Sequence, residues 1–121
     1  MGHWNIHCYG SVESEILSMP SKIQARIIKI LELIEEHGAN LGSPHTENMG
    51  EGLFEIRAKA NEGIGRGLFC YLSDKHVVLL NVFVKKSQKT PQKELKLARE
   101  RLKEVKKNES YYTETKSVSK S

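Results

Sequence analysis

Cysteine is scarce in this chain. Cys8 and Cys70 stand alone, with no CxxC pair, so neither a zinc site nor a disulfide framework is suggested. Long apolar runs are also missing. No stretch could span a bilayer, and the N-terminus MGHWNIHCYG lacks the basic region and apolar run of a signal peptide. A cytoplasmic location with no membrane partner is therefore expected. His, Asp and Glu do not recur at metal-ligand spacing, so no metal or cofactor is expected either. At 121 residues the chain is long enough for one modest core and too short for two.

The first half is poor in positive charge. Residues 1–52 hold three Lys/Arg (Lys22, Arg26 and Lys29) against seven acids. Residues 53–107 hold fourteen Lys/Arg against six acids, and residues 108–121 hold two of each. A net charge of +4 thus conceals one acidic half and one strongly basic half. Such polarity suggests that the second half faces a polyanion, most often nucleic acid. Glu32, Glu35 and Glu36 offer a second, acidic surface where a basic partner could dock.

Periodicity gives the elements. His3 to Tyr9 alternates in the manner of an edge or half-buried strand, and residues 12–18 form a short helical turn. From Pro20 a longer helix carries Ile23, Ile27, Ile30, Leu31 and Ile34 at helical spacing, and Gly38 stops it. Gly42 to Gly52 reads as loop. Three strands follow, over about 53–60, 64–73 and 76–84, joined by turn residues into an antiparallel meander. Residues 91–107 make the last helix, with Leu95, Ala98, Leu102 and Val105 on one face. From Asn108 the polar sequence has no periodicity and is expected to be disordered. The order β-α-α-β-β-β-α predicts an α+β domain over residues 1–107, with helices on one face of a small, largely antiparallel sheet.

Two features carry chemistry. The apolar run Val77–Val84 breaks into Lys85, Lys86 and Lys89, after which Thr90-Pro91 opens a helix, Thr90 being placed to cap its first amides. Strand end, basic loop and helix start together suit a phosphate. Arg66 is the second feature. It shares strand parity with Ile64, Leu68, Cys70 and Leu72, so it points to an apolar side and must reach an edge or meet an anion. Arg57 and Lys59 alternate with Phe54, Ile56 and Ala58 on the neighbouring strand.

The element order, the segments LFEIR and GRGLFCY, and above all FVKKSQKTPQKELKLARERLKE resemble the RelE/ParE superfamily of bacterial toxins. The likeness is greatest to the HigB-like, phage-derived branch of type II toxin–antitoxin systems and covers residues 3–107. It implies a RelE-like fold and a ribosome-dependent mRNA endonuclease. It further implies a partner antitoxin encoded alongside, expected to be a helix-turn-helix protein, with mRNA and ribosome as the other partners. In such enzymes the ribose 2′-OH attacks the adjacent phosphate without a metal and leaves a 2′,3′-cyclic phosphate. Carried over by position, Arg66, Lys86 and Arg57 become the catalytic candidates, and Lys59, Lys85 and Lys89 the phosphate-binding ones. A ParE-like gyrase poison and a non-catalytic relative are the alternatives. The tyrosine or histidine that several relatives carry near the last helix is missing from Ser87–Glu94. His37, His45, His76, Glu94, Tyr111 and Tyr112 remain open as proton-transfer groups.

Overall fold

A computed structural model describes residues 3–119, with side chains through residue 114. Five strands form one sheet: β1 (Asn5–Cys8), β2 (Thr46–Gly50), β3 (Leu53–Ala60), β4 (Gly63–Leu72) and β5 (His76–Lys85). Their spatial order is β1-β5-β4-β3-β2, with β1 parallel to β5 and every other pair antiparallel. The helices are α1 (Val12–Leu17), α2 (Ser21–His37), α3 (Gln92–Lys107) and α4 (Glu109–Ser119), and a 3-10 turn follows α2 at Gly38–Asn40. No helix among the described residues is long and apolar enough to cross a membrane.

Helices cover both faces of the sheet, not one as expected. Ile23, Ile27, Ile30 and Ile34 of α2 pack with Val12 and Ile16 of α1 on Ile56, Phe69, Val77 and Leu79. The opposite face, built from Leu53, Leu68, Cys70, Val78, Leu80 and Phe83, lies under Ala98 and Val105 of α3. β4 and β5 are buried along nearly their whole length, on both faces, so each face needs a helix to cover it. Each fully buried isoleucine of α2 contributes about 1.5–3 kcal/mol by leaving water.

Gly65 lets α2 sit close. A Cβ there would lie 2.4 Å from Ile23 Cγ2 and 3.0 Å from Ile27 Cδ1. Gly65→Val is expected to lower stability by about 1–3 kcal/mol through overpacking, read by denaturant melts. Stability equal to wild type would show that α2 is not held this tightly. Gly38, at φ 56, ends α2 beneath Trp4, whose ring leaves no room for a Cβ.

Two expectations about irregular segments are corrected. Thr46–Gly50, read as loop, is an edge strand. Its polar TENMG has little strand propensity, and it forms because β3 offers an open edge to pair with. The segment after Asn108 is helical through Ser119, and only residues 120–121 of that expected tail lie outside the described residues. Glu109 accepts hydrogen bonds from the amide and the hydroxyl of Ser73, both at 3.0 Å, and Tyr112 joins the α3-side core. Truncation after Asn108 therefore removes native contacts.

Candidate functional site

The meander places Arg57 of β3 directly opposite Arg66 of β4. Both side chains leave the sheet on the α3 side, along with Glu55 and Lys59 by strand parity. Like charges in facing positions repel, so the pair must be compensated. Part of that compensation is Glu55, which is 1% exposed. One of its carboxylate oxygens accepts from Arg57 Nε at 2.8 Å and the other from the Thr90 hydroxyl at 2.7 Å.

The rest comes from backbone. Arg66 Nη1 donates to the carbonyl of Lys89 at 2.9 Å and Nη2 to that of Ser87, while Arg57 Nη2 donates to that of Gln88. Three successive carbonyls of the loop between β5 and α3 thus lie against two guanidiniums. Arg66 is completely buried and its ring neighbour is Phe83, 6.0 Å from the guanidinium carbon. It neither reaches an edge nor lets its head out into water; it meets a strap of its own chain. Burial lowers its pKa, yet an arginine keeps its charge at any relevant pH. The Nε of Arg66 is buried without a hydrogen-bond partner among the described residues.

Lys85, Lys86 and Lys89 are exposed around this strap, and Lys59 is exposed on β3. The candidate cations therefore gather at one end of the sheet, with Arg57 and Arg66 beneath the strap and the lysines around it. Thr90 does not cap α3. Pro91 occupies the cap position without a side-chain hydrogen bond, and the Thr90 hydroxyl turns inward to Glu55.

Two participants were not anticipated. Glu55 sits in LFEIR on the same strand parity as Leu53 and Arg57. Asn81 interrupts the apolar run of β5. A bulge opposite Leu68/Phe69 brings Leu80 and Asn81 onto the same face, and the Asn81 amide donates to Glu94 Oε1 at 2.9 Å. Its Oδ1 is buried and unpartnered among the described residues. In both cases the signal was a polar residue inside an apolar pattern.

The proton-transfer candidates separate. His76 begins β5, about 30 Å of strand away from Lys85. There its Nδ1 lies 2.9 Å from His7 Nε2, and Tyr112 packs edge-on to His7. Burial, and then His76, lower the His7 pKa, and burial raises that of Tyr112. These groups belong to the far end. Tyr111 meets the Tyr112 ring, and His37 lies exposed beside Glu36. His45 does fold back: its carbonyl accepts from the Arg57 amide at 3.0 Å, and it lines a shallow cleft with Arg26, Lys29, Arg57 and Lys59. No group of three or more His, Cys, Asp or Glu comes together to hold a metal among the described residues.

The same architecture recurs in solved structures. The chain is similar to the toxin RelE of E. coli, solved in the free state as a mutant with two arginines replaced by alanine. The TM-score is 0.60 and the identity 13%, with 82% of this chain and 97% of that one covered. It is also similar to a chain of the RelBE2 toxin–antitoxin complex of Mycobacterium tuberculosis (TM-score 0.51, 16% identity, 69% and 99% covered). A chain of the archaeal RelE–RelB complex of Pyrococcus horikoshii matches with TM-score 0.53 and 16% identity, covering 74% and 100%. The fold is RelE-like. Comparison with curated proteins gives no significant match. The family model of phage-derived Gp49-like proteins matches residues 14–103, and the chain belongs to that family.

Proposed function

We propose that this chain is the toxin of a type II toxin–antitoxin pair and acts as a metal-independent mRNA endonuclease on the ribosome. The observation that carries the reading is the opposed Arg57–Arg66 pair, already bound to three backbone oxygens and ringed by Lys85, Lys86 and Lys89. Guanidinium forks suit phosphate oxygens as they suit carbonyl oxygens, and bind the charged ones more strongly. A scissile phosphate entering beneath the strap would replace the carbonyls of Ser87 and Lys89.

When the 2′-OH attacks that phosphate, negative charge grows on its non-bridging oxygens. Fixed cations in a partly dry site stabilise that charge more than they stabilise the ground state. Arg66 and Arg57 hold the phosphate, and as the P–O5′ bond breaks Lys86 offsets the charge on the leaving 5′-oxygen, which takes a proton from water. Lys59, Lys85 and Lys89 engage flanking phosphates. The attacking hydroxyl gives its proton to a base, and His45, which lines a cleft with Arg57, is the side chain proposed for it.

The similar chains named in the RelBE2 and RelE–RelB complexes support an antitoxin partner. It would be acidic where it covers the cation cluster, since complementary charge speeds encounter and fixes register.

Cell-free translation with and without gyrase and its DNA tests the reading. Translation is expected to stop in both reactions, with DNA supercoiling unaffected. Inhibited supercoiling with intact translation would replace this function with gyrase poisoning.

A further inference from the structure

We propose that the Lys22–Arg26–Lys29 face of α2 is a phosphate track that carries the RNA backbone past the end of β2 to Arg57. The inference rests on the function proposed above and extends it to a part of the chain whose overall charge is acidic. Lys22, Arg26 and Lys29 stand at i, i+4 and i+7, so they form one exposed stripe along about 10 Å of helix. The stripe is fixed in place, because Ile23 and Ile27 beside it are locked onto Gly65.

Two adjoining shallow clefts run from the stripe to the outer edge of β3, on whose other face the Arg57 guanidinium lies against the strap. One is lined by Lys22, Arg26, Lys59 and the Ala60–Asn61 turn. The other is lined by Arg26, Lys29, His45, Arg57 and Lys59. Arg26 and Lys59 belong to both, so the path is continuous, and no acidic residue lines either cleft. At its inner end stands Arg57, which reaches the Gln88 carbonyl of the strap. β3 runs on to Ala60 beyond Ile56, the partner of Thr46, which leaves this end of its outer edge uncovered by β2.

Stability does not account for the stripe. Helices favour acids near the N-terminus and cations near the C-terminus. α2 does the reverse, with Lys22 and Arg26 early, no acid in its first turn, and Glu32, Glu35 and Glu36 late. Among the described residues Lys22, Arg26, Lys29 and Lys59 have no ion-pair partner. Lys22, set against the helix dipole, and the unpaired Arg26 and Lys29 together raise the local positive potential and so attract a polyanion. The ligand chemistry is sugar-phosphate backbone, supplied either by single-stranded message or by ribosomal RNA.

The test uses the full chain and K22Q/R26Q/K29Q, whose changed side chains are exposed. Binding is measured by fluorescence anisotropy with single-stranded RNAs of about 4 and about 12 nucleotides, and with message-free ribosomes, across a salt series. For the long oligonucleotide the variant is expected to bind at least about tenfold more weakly, and its log–log salt slope to fall by about two units. The short oligonucleotide, held by the arginine pair alone, should bind as before, and the melting temperature should not move. A loss confined to ribosomes would assign the track to ribosomal RNA. Unchanged affinity for both the long oligonucleotide and ribosomes overturns the track and leaves the arginine site standing. A loss seen only in binding of an acidic protein partner overturns it too. If the wild type binds neither RNA nor ribosomes, the track and the endonuclease reading fall together.

Discussion

Arg66→Ala is expected to cut ribosome-bound message at least about a hundredfold more slowly than wild type and to abolish growth arrest. Arg66 is the one candidate cation that is completely buried, and it already grips two backbone oxygens. The same burial means that the alanine variant will also lose stability, because the Ser87 and Lys89 carbonyls lose their donor and a cavity opens beside Phe83. Arg66→Lys separates the two effects. It keeps a charge and most of the packing but cannot hold two phosphate oxygens in a fork, so it should fold and still lose most activity. Wild-type cleavage by the lysine variant, at matched soluble levels, would remove Arg66 from the chemistry and leave it as the anchor of the strap.

Glu55→Ala should produce the largest stability loss of any single charge deletion, about 3 kcal/mol, or on the order of 10 °C in Tm. Glu55 is the one carboxylate bonded to either of the facing arginines among the described residues, through Arg57, and it also receives the Thr90 hydroxyl. Its loss leaves Arg57 against Arg66 with only carbonyls to offset the repulsion. Glu55→Gln, which retains an acceptor without the charge, should fall between the two. The double variant E55A/R57A should be less unstable than the sum of the single variants, because the second change removes the unpaired cation created by the first. Calorimetry that finds Glu55→Ala as stable as wild type would refute this role.

The regular elements were legible because burial imposes period. Ile23, Ile27, Ile30 and Ile34 mark α2 in the sequence as clearly as in the structure, and the three meander strands fall within a residue or two of expectation. β2 was not legible, because an edge strand of Thr46–Gly50 gets its stability from the β3 ladder and carries no apolar alternation of its own. α4 was missed for a similar reason: Glu109 and Tyr112 are held by Ser73 and the α3-side core, contacts far apart in sequence. At the site, the parity of Arg66 correctly placed its side chain on an apolar face. Its partners could not be read, because backbone carbonyls leave no mark on the identities of Ser87 and Lys89. Thr90 was misread because a threonine before Pro91 carries a local capping signal, whereas Glu55 lies 35 positions away. The basic stripe of α2 was hidden by averaging, since the charge balance of residues 1–52 is acidic even though Lys22, Arg26 and Lys29 share one face.

If clustered arginine and lysine cut RNA through its own 2′-hydroxyl, the cut ends carry the record. The most direct measurement is the chemistry of the cut ends, read by mass spectrometry after incubating programmed ribosomes with the purified protein in the presence of a chelator. Fragments ending in a 2′,3′-cyclic phosphate are expected, formed by wild type and lost in Arg66→Lys. Fragments ending in a 3′-hydroxyl, or intact message while the protein still arrests growth, would contradict this chemistry.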